Sequence, residues 1–322
     1  VLQLAMTPEQ RAALPLEQQQ INAAMPMWVL LLFGVALLWM GIALLPTLAV
    51  GTSTIWTPDT SHQPSLAFVP YLVTGDAFYL DEILFWAGWN IAGMNPQYRG
   101  YGKGLVTEDQ VRGQAWNMRS LSEALRAIPD NHSLKGYFVT RMSNNMNWYH
   151  QKYITNVGTQ SPLGAIQKPD EPNLTSPWQN DFLGIVFAQL VDDGEPSALA
   201  VLTFMSQMNV GRFSNESNGF CISKAAGYYW KIRDSGNMFI TNWNSLFSTN
   251  FPNDTCSPTA TIDGYPDAPN GAAAYARAML ATAASAGITN ASSRYAFWTS
   301  KTPGMDAAFS TNATWAIVPR TQ

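Results

Sequence analysis

The chain has little charge: Asp, Glu, Lys and Arg make up only 12% of its 322 residues, and the 18 basic side chains do not outnumber the 22 acidic ones. Without a basic stripe there is no electrostatic footprint for DNA or RNA, and nucleic acid is excluded as a main partner. Its three histidines, His62, His132 and His150, share no ligand spacing, and neither HExxH nor CxxC occurs. The sequence therefore offers no motif for a metal or another cofactor. The glycines of YRGYGKG lack the Walker spacing and no GxSxG elbow is present, so nucleotide-binding and serine-hydrolase chemistries have no anchor either. Cysteine occurs twice, at Cys221 and Cys256. The two form one disulfide if the compartment is oxidising, or stay as two buried thiols.

Apolar and aromatic residues are plentiful. Hydrophobic side chains are 47% and aromatic ones 12%, far too much buriable surface for a disordered chain. The longest apolar run is Met25–Val50, without a single charge. A bilayer core of roughly 30 Å is crossed by about 20 apolar residues, so a single transmembrane helix is expected over 25–50. A helix buried in a large core is apolar all round for the same reason. Residues 1–24 form a short segment in which Thr7 and Pro8 can start a helix. Arg11 precedes the apolar run and no Lys or Arg occurs between Gly51 and Tyr98. Cations stay on the cytoplasmic side, so residues 51–322 are expected as one periplasmic or extracellular domain on a single-pass anchor, with membrane lipid as a partner.

Beyond residue 64 the hydrophobic period is helical. Gly75 can end a short helix in the left-handed conformation and Asp76 can cap the next. Thr107 is placed to cap a helix whose Val111, Ala115, Met118, Leu121 and Leu125 recur at spacings of 4, 3, 3 and 4. Ser133 is placed to cap another over 134–153, and further helices are expected at Trp178–Asp193, Pro196–Asn209, Cys221–Arg233, Ile240–Ser248 and Ala272–Ala286. Strand candidates are few: Trp315–Val318 and, more weakly, Ala296–Thr299. Helices in series, joined by turns marked with Gly and Pro, predict an all-α fold.

The stretches PDTSHQPSLAFVPYLVTGDAFYLDEILFWAGWN, DQVRGQAWNMRSLSEA, NNMNWY, SPWQNDF, YPDAPNGAAAYARAMLATAASAG and WAIVPR resemble the C-terminal part of large, uncharacterised bacterial exported proteins. Those are similar in helix pattern to the α/α-toroid class, whose helical hairpins build many glycosidases and polysaccharide lyases. The resemblance covers roughly Thr57 to Arg320 and implies a toroid-like domain with a link to carbohydrate. In those relatives further soluble helices precede PDTSHQP, where this chain has its apolar run, which implies an incomplete toroid.

Three clusters set polar groups beside apolar helices. Asp59 and His62 offer a carboxylate to orient a general base, or a turn in which Asp59 accepts from backbone amides. Arg112 can neutralise a uronate or stabilise a developing enolate beside Trp116, or pair with Glu108 one turn away. Asn145, Trp148 and Tyr149 with Trp178, Gln179 and Asp181 combine aromatic faces with amides, as a sugar site needs, and Tyr149 or Asp181 could carry a proton. The same aromatic spacing also suits a core. Two functions follow as expectations. One is a non-catalytic, membrane-anchored scaffold or accessory subunit of a membrane, envelope or virion assembly, in contact with other protein subunits. The other is a polysaccharide lyase or glycoside hydrolase acting on extracellular glycans.

Overall fold

The computed structural model describes residues 58–63, 65–107, 110–256 and 268–320. The 1–24 segment and the expected transmembrane run 25–50 lie outside the described residues. Among those described, no helix is long and apolar enough to cross a membrane.

Helix α1 (Phe68–Thr74) ends at Gly75 with φ 66°, and Asp76 caps α2 (Ala77–Gly93) by accepting from the Phe78 amide at 2.9 Å. Helix α3 (Val111–Ala127) starts at Gln110 and not at Thr107, whose hydroxyl turns back to the Tyr98 carbonyl. Its predicted stripe is the buried one: Val111, Ala115, Met118 and Leu121 have almost no exposure. Helix α4 (Lys135–His150) follows Leu134 and runs into a π-helical turn, Gln151–Thr155. Helices α5 (Pro177–Asp192), α6 (Ala198–Asn209), α7 (Trp243–Asn250), α8 (Ala272–Ser285), α9 (Ala291–Lys301) and α10 (Met305–Ala308) complete the set.

Ser133, like Thr107, does not cap its helix, since α4 is preceded by Leu134 with no side-chain cap, and three expected elements are replaced. Cys221–Arg233 is no helix but a 3₁₀ turn followed by β2 (Trp230–Lys231), which pairs antiparallel with β1 (Leu174–Thr175). The reason is visible at Gly227, where a Cβ would stand 2.5 Å from the Trp230 indole nitrogen. Ala296–Thr299 lies inside α9 because Trp298 is drawn into the core, where its indole N–H donates to the Ala273 carbonyl at 3.0 Å. Trp315–Val318 is irregular: Trp315 packs on rings of other helices and no strand runs beside it.

The architecture is all-α, with one short ribbon among the described residues. Helix α5 is buried on nearly every side and touches α3, α6 and α8. Helices α3, α5 and α8 thus form an inner row, and each has a sequence neighbour packed beside it: α2 on α3, α6 on α5 and α9 on α8. At the α5–α8 crossing, Gly184 leaves room that a Cβ would take from the Met279 sulfur, 2.5 Å away. Cys221 and Cys256 are joined as a disulfide, with Cα atoms 5.3 Å apart.

Candidate functional site

The inner row brings the first turns of α3, α5 and α8 together, and aromatic rings connect them. Trp116 on α3 meets Phe182 on α5 edge-on at 4.7 Å, and Phe182 meets Trp315 at 5.3 Å. Trp315 lies 4.2 Å from Tyr275 on α8, which is 5.5 Å from Trp178 on α5. Trp178 continues to Tyr228 at 5.8 Å, and Tyr228 to Tyr229 at 4.6 Å. All but the Tyr275–Trp315 separation, which is closer, lie in the range of about 4.5 to 7 Å that favours offset and edge-to-face ring pairs. The track is buried at Phe182 and emerges at Tyr228, which is 59% exposed.

Cations line it. The Arg119 guanidinium lies 4.3 Å over Trp116, that of Arg112 5.7 Å from the Trp178 ring and the Lys168 ammonium 5.1 Å from Tyr229. Each is within the roughly 6 Å at which a ring face attracts a cation. Lys168 also pairs with Glu171, and this bond with the nearby Asp170 outweighs desolvation to hold its ammonium charged above the usual lysine range. Burial pushes the phenols of Tyr275 and Tyr229 up, although Arg112 pulls each the other way.

Helix α3 presents Arg112, Trp116, Arg119 and Glu123 on one face, and Asp59, Gln63 and Ser65 lie along it. Asp59 senses the charge of Arg112, the Gln63 carbonyl accepts from Arg119 at 3.4 Å and the Ser65 hydroxyl donates to Glu123 at 2.5 Å. His62 Nδ1 stands 2.5 Å from Asp59 Oδ2 and the Ser61 amide donates to Asp59 Oδ1 at 2.8 Å. Burial pushes Asp59 up, but the bonds from His62 and Ser61 and the charges of His62 and Arg112 prevail, so its carboxyl lies below the usual aspartate value. Burial pushes Glu123 up against Arg119 and Ser65.

Of the residues singled out in the sequence, Arg112, Trp116, Trp178 and Gln179 meet here, with Asp59 and His62 at the edge. Gln179 itself is buried, and its Oε1 accepts from the Arg112 amide at 3.0 Å. The others lie in the protein interior or on another face. Tyr149 is sealed in the core, where it donates to Gln114 Oε1 at 2.9 Å and burial raises its phenol well above the usual range. Asp181 is 1% exposed and receives Arg212 at 2.5 Å, so it meets no solvent at the track. Asn145 ties the 104–106 loop to α4, accepting from the Val106 amide at 2.8 Å and donating to the Gly104 carbonyl at 3.0 Å. Trp148 carries Lys152 over its ring at 4.7 Å and packs edge-on to Tyr149 and Tyr153.

Sequence reasoning missed Arg119, Lys168, Tyr228, Tyr229, Tyr275 and Trp315. For Arg119 the signal was present, since it continues the spacing of Arg112 and Trp116 along one helical face. The other five come from distant parts of the chain, and only the packing of α5 and α8 and the pairing of β1 with β2 gather them. No protein-family model, curated protein or solved structure matches the chain.

Proposed function

We propose that residues 59–320 form a membrane-anchored accessory domain, non-catalytic, that holds a glycan on the aromatic track. The observation that carries this is the continuous series of rings from Trp116 to Tyr229 flanked by Arg112, Arg119 and Lys168. Pyranose C–H faces pack on such rings, while guanidinium groups hold hydroxyl or carboxylate oxygens. The helical pairs α2–α3, α5–α6 and α8–α9 support a toroid-like arc built of hairpins. The apolar run Met25–Val50 supports the anchor and an extracytoplasmic position, and the low surface charge suits lasting contact with other subunits. A non-catalytic role is supported by the enclosure of Asp181 and Tyr149, two of the expected proton carriers, which leaves only His62 open to solvent among them.

The test is binding of the detergent-solubilised chain to a panel of neutral and acidic polysaccharides, by calorimetry and by tryptophan fluorescence. Replacing Trp178 with Ala should weaken the best ligand roughly tenfold, the equivalent of about 1.4 kcal/mol. Equal binding by the variant, or no binding across the panel, would remove the reading.

A lyase or hydrolase is the second reading, favoured by the Asp59–His62 contact beside Arg112. In it His62 takes the proton from the uronate carbon beside the carboxylate, Arg112 stabilises the resulting enolate, and as the double bond forms the adjacent C4–O glycosidic bond breaks, its oxygen leaving with a proton from water. New reducing ends, or absorbance from an unsaturated uronate, that vanish in His62→Ala would establish it.

A further inference from the structure

Helix α1 buries none of its seven residues, although they are FVPYLVT. Leu66, Val69, Leu72 and Val73 are 68%, 64%, 63% and 79% exposed. The pattern continues on α2 with Phe78 at 62% and Phe85 at 48%, two turns apart and hence on one face. Contiguous apolar exposure of this kind is rare on a surface that meets only water. An edge-to-face series of Phe85, Trp86 and Trp89, with ring centroids 5.0 and 5.6 Å apart, follows along α2.

We propose that this face of α1 and α2 lies in the headgroup layer of a bilayer, as an interfacial platform. The proposal rests on the reading of Met25–Val50 as a transmembrane helix. If that segment spans, α1 and α2 are the first described helices to follow it in the sequence, α1 beginning eighteen residues after Val50. Trp86 and Trp89 are of the type enriched at that depth, and Phe78 suits the apolar face of a helix lying in the interface. No Lys or Arg occurs between Gly51 and Tyr98, while Asp76, Asp81 and Glu82 are acidic. The platform therefore matches a zwitterionic lipid surface and gains nothing from anionic lipid.

The native cysteines are bonded to each other, so a single added thiol can be labelled. Full-length Val73→Cys and Phe78→Cys, each carrying an environment-sensitive fluorophore, are reconstituted in phosphatidylcholine vesicles containing headgroup-level nitroxide lipid. Leu199→Cys and Met238→Cys, exposed at 50% and 68% on other elements, serve as controls. Blue-shifted labels at 73 and 78, quenched at least twofold more than the controls and unchanged by salt or phosphatidylserine, are expected. Equal quenching at all four positions in a chain that floats with the vesicles overturns the platform and leaves the anchor standing. A chain that does not float overturns both. Concentration-dependent crosslinking of two Val73→Cys chains, without lipid quenching, assigns the face to a second copy and overturns the proposal.

Discussion

Gln179 on α5 accepts a hydrogen bond from the backbone amide of Arg112 at 3.0 Å, and so caps a helix to which it does not belong. Helix α3 has no side-chain cap of its own, since Gln110 makes none. The first amides of a helix have no intrahelical partner, and a buried one must be satisfied from elsewhere. Replacing Gln179 with Ala should cost about 1 kcal/mol in chemical denaturation, and with it the alignment of Arg112 over Trp178. Gln179→Glu, which keeps an acceptor at a helix N-terminus, should recover most of the loss; equal stability of the Ala variant and wild type would show that the bond contributes nothing.

The Asp181–Arg212 pair should make stability depend on pH. Burial pushes Asp181 up to about 6 from 3.8, against the pull of Arg212. A carboxyl whose value is raised by folding adds stability below its unfolded value and loses it as pH rises through the folded one. Between about pH 4 and 7, wild type should lose up to about 3 kcal/mol relative to Asp181→Asn, read as the difference between their urea unfolding free energies. Arg212→Leu strands the carboxyl and should cost about 3 to 5 kcal/mol. A pH-independent difference between wild type and Asp181→Asn would refute the account.

Ser197 precedes α6 with φ 67°, a conformation that a side chain makes costly. Glycine removes that strain but gives up more unfolded-state entropy, so Ser197→Gly should stabilise by about 0.5 to 1 kcal/mol. Calorimetric melting should then rise by roughly 2 °C, whereas Ser197→Val should melt lower. A fall in the Gly variant would contradict this.

Tyr149→Phe should separate the core from the track. Removing the phenol breaks its bond to Gln114 in a dry site, at a cost of about 1 kcal/mol. Polysaccharide binding should not change at a temperature where the variant is folded. A binding loss comparable to that of Trp178→Ala would return Tyr149 to the site.

How much could be read in advance depended on the range of the interaction involved. The Gly75–Asp76 junction was legible because a left-handed glycine and a capping carboxylate act within a few residues. The stripe of α3 was legible because one helix repeats one face. Ala296–Thr299 misled because aromatic residues favour strands locally, while Trp298 answers to Ala273 on another helix. The 221–233 segment misled because its shape follows from Gly227 against Trp230 and from pairing with β1. At the site, Arg112 and Trp178 stood out by residue type. Tyr275 and Trp315 did not, because their proximity to Trp178 is a property of helix packing alone.

The π-helical turn at Gln151–Thr155 sets the phase of the chain that follows it. It keeps Tyr149 and Tyr153 near parallel, 6.0 Å apart, and delivers Tyr153 to Phe204 on α6 at 5.3 Å. Such a turn holds one residue more than α-helical winding allows. Deleting one residue there would close the turn into ordinary helix and leave the chain beyond near its present phase, whereas deleting one from α4, which has no residue to spare, would rotate everything beyond by about 100°. Tyr153 would then swing off Phe204, so homologues are expected to tolerate a change of length within Gln151–Thr155 far better than within Lys135–His150.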